Sequence, residues 1–133
     1  MGDGGTKDIR WAVESSRRLK VGGIDPGHVV DREGNRYLYV DKGEVIRLTE
    51  DGLATVGEKK KVYDGWKYPD HWDTECMCLE SPKLNEHNGY YYLTSAQGGT
   101  AGPATSHMVV SARSKSVIGP WEDSPYNPIC AYV

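Results

Sequence analysis

A chain of 133 residues, 38% hydrophobic and 26% charged, has room for one ordinary domain and reads as globular rather than disordered. A net charge of -3 with scattered Lys and Arg argues against a nucleic-acid surface, and the one basic run, Lys59-Lys60-Lys61, reads as the solvated start of a strand. No apolar stretch approaches the roughly 20 residues that a membrane-spanning helix needs, and residues 1–10, rich in Gly and charge, show no signal peptide.

Residues 1–23 read as an irregular lead-in, in which 11–19 (WAVESSRRL) has the makings of a short helix but no firm pattern. From Ile24 onward, short strands alternate with turn signals every 8 to 12 residues or so, the signature of an all-β fold. The first unit predicts strands at 28–31, 36–40 (RYLYV), 44–48 (EVIRL) and 60–63, punctuated by Gly34, Lys42-Gly43 and Glu50-Asp51-Gly52. The second predicts strands at 81–85, 90–96 and 107–113, then a short one opened by Trp121, with a Gly-rich crossover at 97–102. Neither unit shows a 3.6-residue helical period. Two consecutive four-stranded antiparallel units, approximately 24–64 and 79–125, predict blades of a β-propeller. A closed ring needs at least four or so blades, so 24–133 reads as a partial propeller domain, ending in an apolar tail at 129–133 with no closing strand.

The linker between the units, 64–74 (DGWKYPDHWDT), carries Trp66, Tyr68, Trp72, His71 and three Asp. Loops bearing rings and acids suit sugar sites; the plainer reading is that Trp66 and Trp72 fill the seam between blades. Of the three cysteines, Cys76 and Cys78 are two apart. In an extended strand they would face one side, a poor geometry for a bond. The expectation is reduced, buried thiols with no zinc cluster, fitting a reducing compartment such as the cytoplasm.

The two units share a plan. Gly34 lies nine residues after Asp25, Gly89 nine residues after Glu80, and Leu38 and Leu93 each lie four beyond their glycine. If the first strand of each blade lines a shared channel, Asp25 and Glu80 converge there. Cleaving a glycosidic bond needs a proton donor for the leaving oxygen and a second carboxylate opposite it, and a negative neighbour keeps the donor protonated. The alternative is that both acids simply bond turn amides.

Ile24-Asp25-Pro26-Gly27, Tyr37-Leu38, Glu80-Ser81-Pro82-Lys83-Leu84, Tyr91-Tyr92-Leu93, Gly98-Gly99-Thr100, Ala112-Arg113-Ser114-Lys115-Ser116, Gly119-Pro120-Trp121 and Asn127-Pro128-Ile129 together resemble glycoside hydrolase family 43 over roughly 20–129. The resemblance implies a five-bladed propeller, of which about two blades are present, acting on β-xylosides and α-L-arabinofuranosides by inversion. It implies three acids: a base that activates water, a second Asp that tunes and orients the donor, and the donor Glu. Asp25 matches the second Asp. Glu80 matches the donor, with Ser81 where the family usually has Gly. The base has no matching context, since Asp3 and Asp8 sit in none. His28, Trp72, Gln97, Thr100 and His107 are the candidate substrate-binding residues, with His28 and His107 equally open to strand or surface roles. No cofactor or metal is implied; the partner is an oligosaccharide or polysaccharide. A related five-bladed fold acting on fructosides and a non-catalytic sugar-binding or assembly module are the rivals. Open blade edges predict self-association or a partner.

Overall fold

A computed structural model describes residues 19–131; Asp3, Asp8, nearly all of the 11–19 stretch and the last two residues lie outside them. Strands β1 (Gly27–Val30), β2 (Arg36–Val40), β3 (Glu44–Leu48) and β4 (Thr55–Lys61) pair in chain order as one antiparallel sheet. Strands β5 (Leu79–His87), β6 (Tyr90–Gln97), β7 (Met108–Ser114) and β8 (Glu122–Asp123) form a second in the same order, and β9 (Cys130–Ala131) also pairs with β7. The fold is all-β, as the patterning predicts. Among the described residues the helical pieces are two 3-10 turns, Asp41–Gly43 and Ala104–Ser106.

Side-chain alternation makes the central strands. In β6 every second residue (Tyr91, Leu93, Ser95, Gln97) is buried, while Tyr90, Tyr92, Thr94 and Ala96 are only partly covered. Strand β4 has no such period. Nearly all its residues are exposed, and it forms because the tight turn Thr49–Ala54, closed by Thr49 N–H to Ala54 O at 2.9 Å, folds it back on the edge of β3. It therefore starts at Thr55 and ends at Lys61, not at the expected 60–63, and the lysine run closes the strand instead of opening it. Lys59 pairs with Glu44 at 2.7 Å. The expected unpaired tail is also corrected: Ile129 N–H donates to Val109 O at 2.9 Å and leads Cys130 and Ala131 onto β7.

The β1–β2 turn is built on Asp31, whose carboxylate accepts the backbone N–H of Glu33 and of Asn35 (2.9 and 2.8 Å) and the Asn35 side-chain amide (2.9 Å). Burial pushes this carboxyl up, but the bonds from Asn35 and Glu33 outweigh it and hold the group below its ordinary value. Its contribution is thus complete above the usual Asp pKa of about 3.9 and fades as acid takes the pH through the lowered value.

The two sheets share one core, with Val29, Tyr39 and Val45 from the first packed with Leu79, Leu93 and Val110 from the second. Rings and polar atoms bridge the seam. Tyr39, fully buried, donates its hydroxyl to Val117 O at 2.6 Å. Tyr63 donates to Asp123 at 2.6 Å, and both tyrosine rings meet Trp121 edge-on at 6.4 and 6.5 Å. At the hairpin end, Arg32 binds Glu86 at 2.9 Å, lies over the Tyr91 ring and takes the Tyr91 hydroxyl oxygen on its backbone N–H. Tyr39→Phe would leave the Val117 carbonyl buried without a donor. We expect a loss of about 1–3 kcal/mol in urea unfolding, well above the change for an exposed tyrosine such as Tyr126→Phe.

Candidate active site at the junction of the two sheets

The first strands of the two sheets, β1 and β5, lie side by side. Gly27 approaches the Pro82 backbone so closely that a Cβ on it would overlap the Pro82 carbonyl oxygen. Upstream of Gly27 the chain is tied down at Ile24, whose N–H donates to Asp41 Oδ1 at 3.0 Å and whose carbonyl accepts Asp41 N–H at 3.1 Å. This anchors Asp25 against β5. Its Oδ2 accepts both the N–H (3.3 Å) and the Oγ–H (3.2 Å) of Ser81. Ser81 follows Glu80 directly, so the structure brings one acid onto the residue next to the other. Asp25 does bond an amide, as the plainer reading held, but in the neighbouring sheet and not in its own turn.

Two backbone features fix the junction. Asp25 (φ 53°) and Ser81 (φ 50°) are both left-handed, and each precedes a proline. Such residues cost about 1–3 kcal/mol each and persist where surrounding contacts hold them. In β5 a bulge lies between Glu80, paired with Ala96, and Lys83, paired with Thr94. Asp25-Pro26 and Ser81-Pro82 thus share a left-handed residue before proline, and Glu80 stands one residue before Ser81. Glu80 is half-buried, and no hydrogen bond or ion pair to its carboxylate is found among the described residues.

The remaining candidates are spread along the same region. His28 is exposed on β1, with Nε2 3.4 Å from Arg36 Nη1. Trp72 is half-buried, its ring edge-on to Trp66 at 5.8 Å, and both pack on the shared core. Gln97 is buried; its side-chain amide accepts Trp66 N–H at 2.9 Å and donates to Trp66 O at 2.7 Å, a latch holding the ring pair to β6. Thr100, within the Gly-rich crossover, and His107, just before β7, are both exposed.

The family profile described as Glycosyl hydrolases family 43 matches residues 7–132. The chain belongs to glycoside hydrolase family 43. It is 42% identical over 119 residues to a xylan 1,3-beta-xylosidase of a Vibrio species, covering 80% of this chain and 20% of that protein. It is 30% identical over 122 residues to an extracellular endo-alpha-(1->5)-L-arabinanase of Bacillus subtilis, covering 90% of this chain and 36% of that protein. A family-43 crystal structure from Bacillus licheniformis superposes with a TM-score of 0.64 at 34% identity, covering 80% of this chain and 19% of the other. The chain thus spans about a fifth to just over a third of these three relatives, and its two sheets are two blades of the family's propeller.

Within that family-43 frame, two features were not foreseen from the sequence. The first is Glu75, whose carboxylate gathers the backbone of the Gly-rich crossover; it sits between Thr74 and Cys76, one residue past the 64–74 linker, and no spacing singles it out. The second corrects the cysteine expectation. Cys76 and Cys78 are joined in a disulfide with Cα atoms 5.2 Å apart, and Cys130 is exposed. The premise of an extended strand fails: β5 begins only at Leu79, and the irregular 72–78 segment lets both sulfurs meet. With these sulfurs bonded, the thiol argument for a reducing compartment falls. The bond closes a loop with one intervening residue, so reduction is expected to cost no more than about 1.5 kcal/mol of unfolding free energy, read from denaturation curves with and without reductant.

Two clefts among the described residues lie elsewhere. One of about 320 Å³ is lined by Asp31, Arg32, Tyr37, Tyr91 and Lys115, and one of about 370 Å³ by Tyr92, Arg113, Glu122, Tyr126 and Ile129. Neither includes Asp25 or Glu80.

Proposed function

We propose that the protein hydrolyses the glycosidic bonds of xylosides or arabinosides by inversion, with Glu80 as general acid and Asp25 as the carboxylate that orients it and tunes its proton. The observation that carries this is the pair of hydrogen bonds from Ser81 to Asp25, which sets a negative charge beside the Glu80 backbone. The names of the relatives support a pentoside substrate. His28, Thr100 and His107 line the sugar's approach, and Gln97 acts through the Trp66–Trp72 pair it holds. The base that activates water comes from outside the described residues.

Chromogenic β-xyloside, α-L-arabinofuranoside and β-fructofuranoside test the reading, with the first product's anomer followed by proton NMR. Release from a pentoside with inverted configuration supports it. Release from the fructoside alone, or binding of xylo-oligosaccharides without turnover, overturns it in favour of a fructosidase or a binding module.

Open edges accompany the two blades. Strand β4 exposes Val56 at its outer side, and Tyr126 and Ile129 stand 83% and 50% exposed at the far end of the second sheet. We expect self-association through these surfaces; a monodisperse monomer in light scattering would contradict this.

A further inference from the structure

We infer that Glu75 is a positioning residue, whose carboxylate shapes the Gly98–Gly102 loop and so sets where Thr100 meets the sugar. The inference rests on the hydrolase reading for the loop's purpose and on geometry alone for its shape.

Glu75 Oε2 accepts the backbone N–H of Thr100 and of Ala101, each at 2.8 Å. Its own N–H donates to Ser106 Oγ at 2.8 Å, and Thr105 Oγ1 bonds the Asp73 carbonyl, so the crossover is stitched to the 73–75 segment at both ends. Gly98 continues the stitching, donating to Cys78 O at 3.0 Å and accepting from Cys76 N–H at 3.4 Å. The loop has no large apolar side chain to pack, since 98–103 reads GGTAGP. Its form must come from these polar ties. Gly99 and Gly102 are part of the design: a Cβ on either would collide with Glu75.

The loop also stands in the right place. Glu80 pairs with Ala96 and Leu79 with Gln97, so the chain leaves β6 for the loop just past the Glu80 register position. Bonds from the Ala101 and Thr100 amides hold the Glu75 carboxyl below the usual carboxylate range, with a smaller contribution from His107. The carboxylate is exposed, so its ties are screened and add little to global stability. Their effect is local.

Glu75→Ala and Glu75→Gln in the full protein test this, by hydrogen exchange at individual amides and by steady-state kinetics on a pentoside. In Glu75→Ala we expect exchange at Thr100 and Ala101 to accelerate on the order of tenfold or more, with the unfolding midpoint nearly unchanged. We expect KM to rise on the order of tenfold while kcat stays within about threefold, the loss of about one charge-assisted hydrogen bond's worth of binding. Glu75→Gln keeps an acceptor oxygen and should restore much of both. Unchanged exchange in Glu75→Ala overturns the inference, as does a fall in kcat and unfolding midpoint together with KM unmoved. A wild-type protein that neither binds nor cleaves any pentoside sinks the hydrolase reading and the loop's role toward sugar. Exchange that still depends on Glu75 would then support its hold on the loop alone.

Discussion

Glu80→Gln is expected to lower kcat on an unactivated xyloside or arabinoside by a factor of about 10² to 10⁴, the usual worth of a positioned general acid. Glutamine keeps the shape and the hydrogen-bonding oxygen of glutamate but has no proton to give the departing sugar oxygen. The deficit should shrink on aryl glycosides whose phenolate leaves without help, and this leaving-group dependence separates a lost acid from a misfolded site. Folding should be nearly untouched. No hydrogen bond or ion pair to the Glu80 carboxylate is found among the described residues, so the unfolding free energy should move by less than about 0.5 kcal/mol. Asp25→Asn offers the complementary result. The asparagine oxygen still accepts from Ser81, which keeps the junction, but the negative charge of Asp25 is gone. Hydrolysis of unactivated substrates should then fall while the unfolding free energy stays nearly unchanged, which separates a lost charge from a lost fold. Full activity in Glu80→Gln on unactivated substrates would remove Glu80 from the mechanism.

Much of this architecture is legible in the residues, and the illegible parts have physical causes. The RYLYV and EVIRL segments fall residue for residue on β2 and β3, because β-branched and aromatic residues bounded by turn formers leave little choice of register. Strand β4 (TVGEKKK) carries no such signal: its pairing is imposed by the neighbouring edge and the turn before it. The nine-residue spacing points to both acids, yet Asp25 reaches not Glu80 but its neighbour Ser81. A bulge after Glu80 shifts the register, and the Asp25 carboxylate reaches the residue beyond it. Spacing marks the strands, whereas the hydrogen bond between the blades depends on side-chain geometry that spacing does not encode. The disulfide and the Glu75 ties escaped because both lie in irregular chain, where no periodicity says which atoms face each other.

The same junction carries the largest expected effect on stability. Gly27 begins β1, pairs with Tyr39 of β2, and faces the Pro82 carbonyl across the blade boundary. A methyl group there has nowhere to go. The atom it meets is backbone, held by the β5 bulge, and cannot rotate away as a flexible side chain would. Gly27→Ala must push the two blades apart at the point where their innermost strands touch. We expect a loss of about 3 kcal/mol in chemical denaturation, at the upper end for an overpacked site, against less than about 0.5 kcal/mol for His28→Ala one residue on, which faces solvent. The catalytic consequence should follow from the same displacement. Asp25 lies two residues upstream, and its 3.2 and 3.3 Å bonds to Ser81 depend on β1 staying against β5. Hydrolysis should therefore fall even at temperatures where Gly27→Ala remains folded. If Gly27→Ala unfolds within 1 kcal/mol of the parent and keeps its activity, the close approach of β1 to β5 is not what holds Asp25 against Ser81.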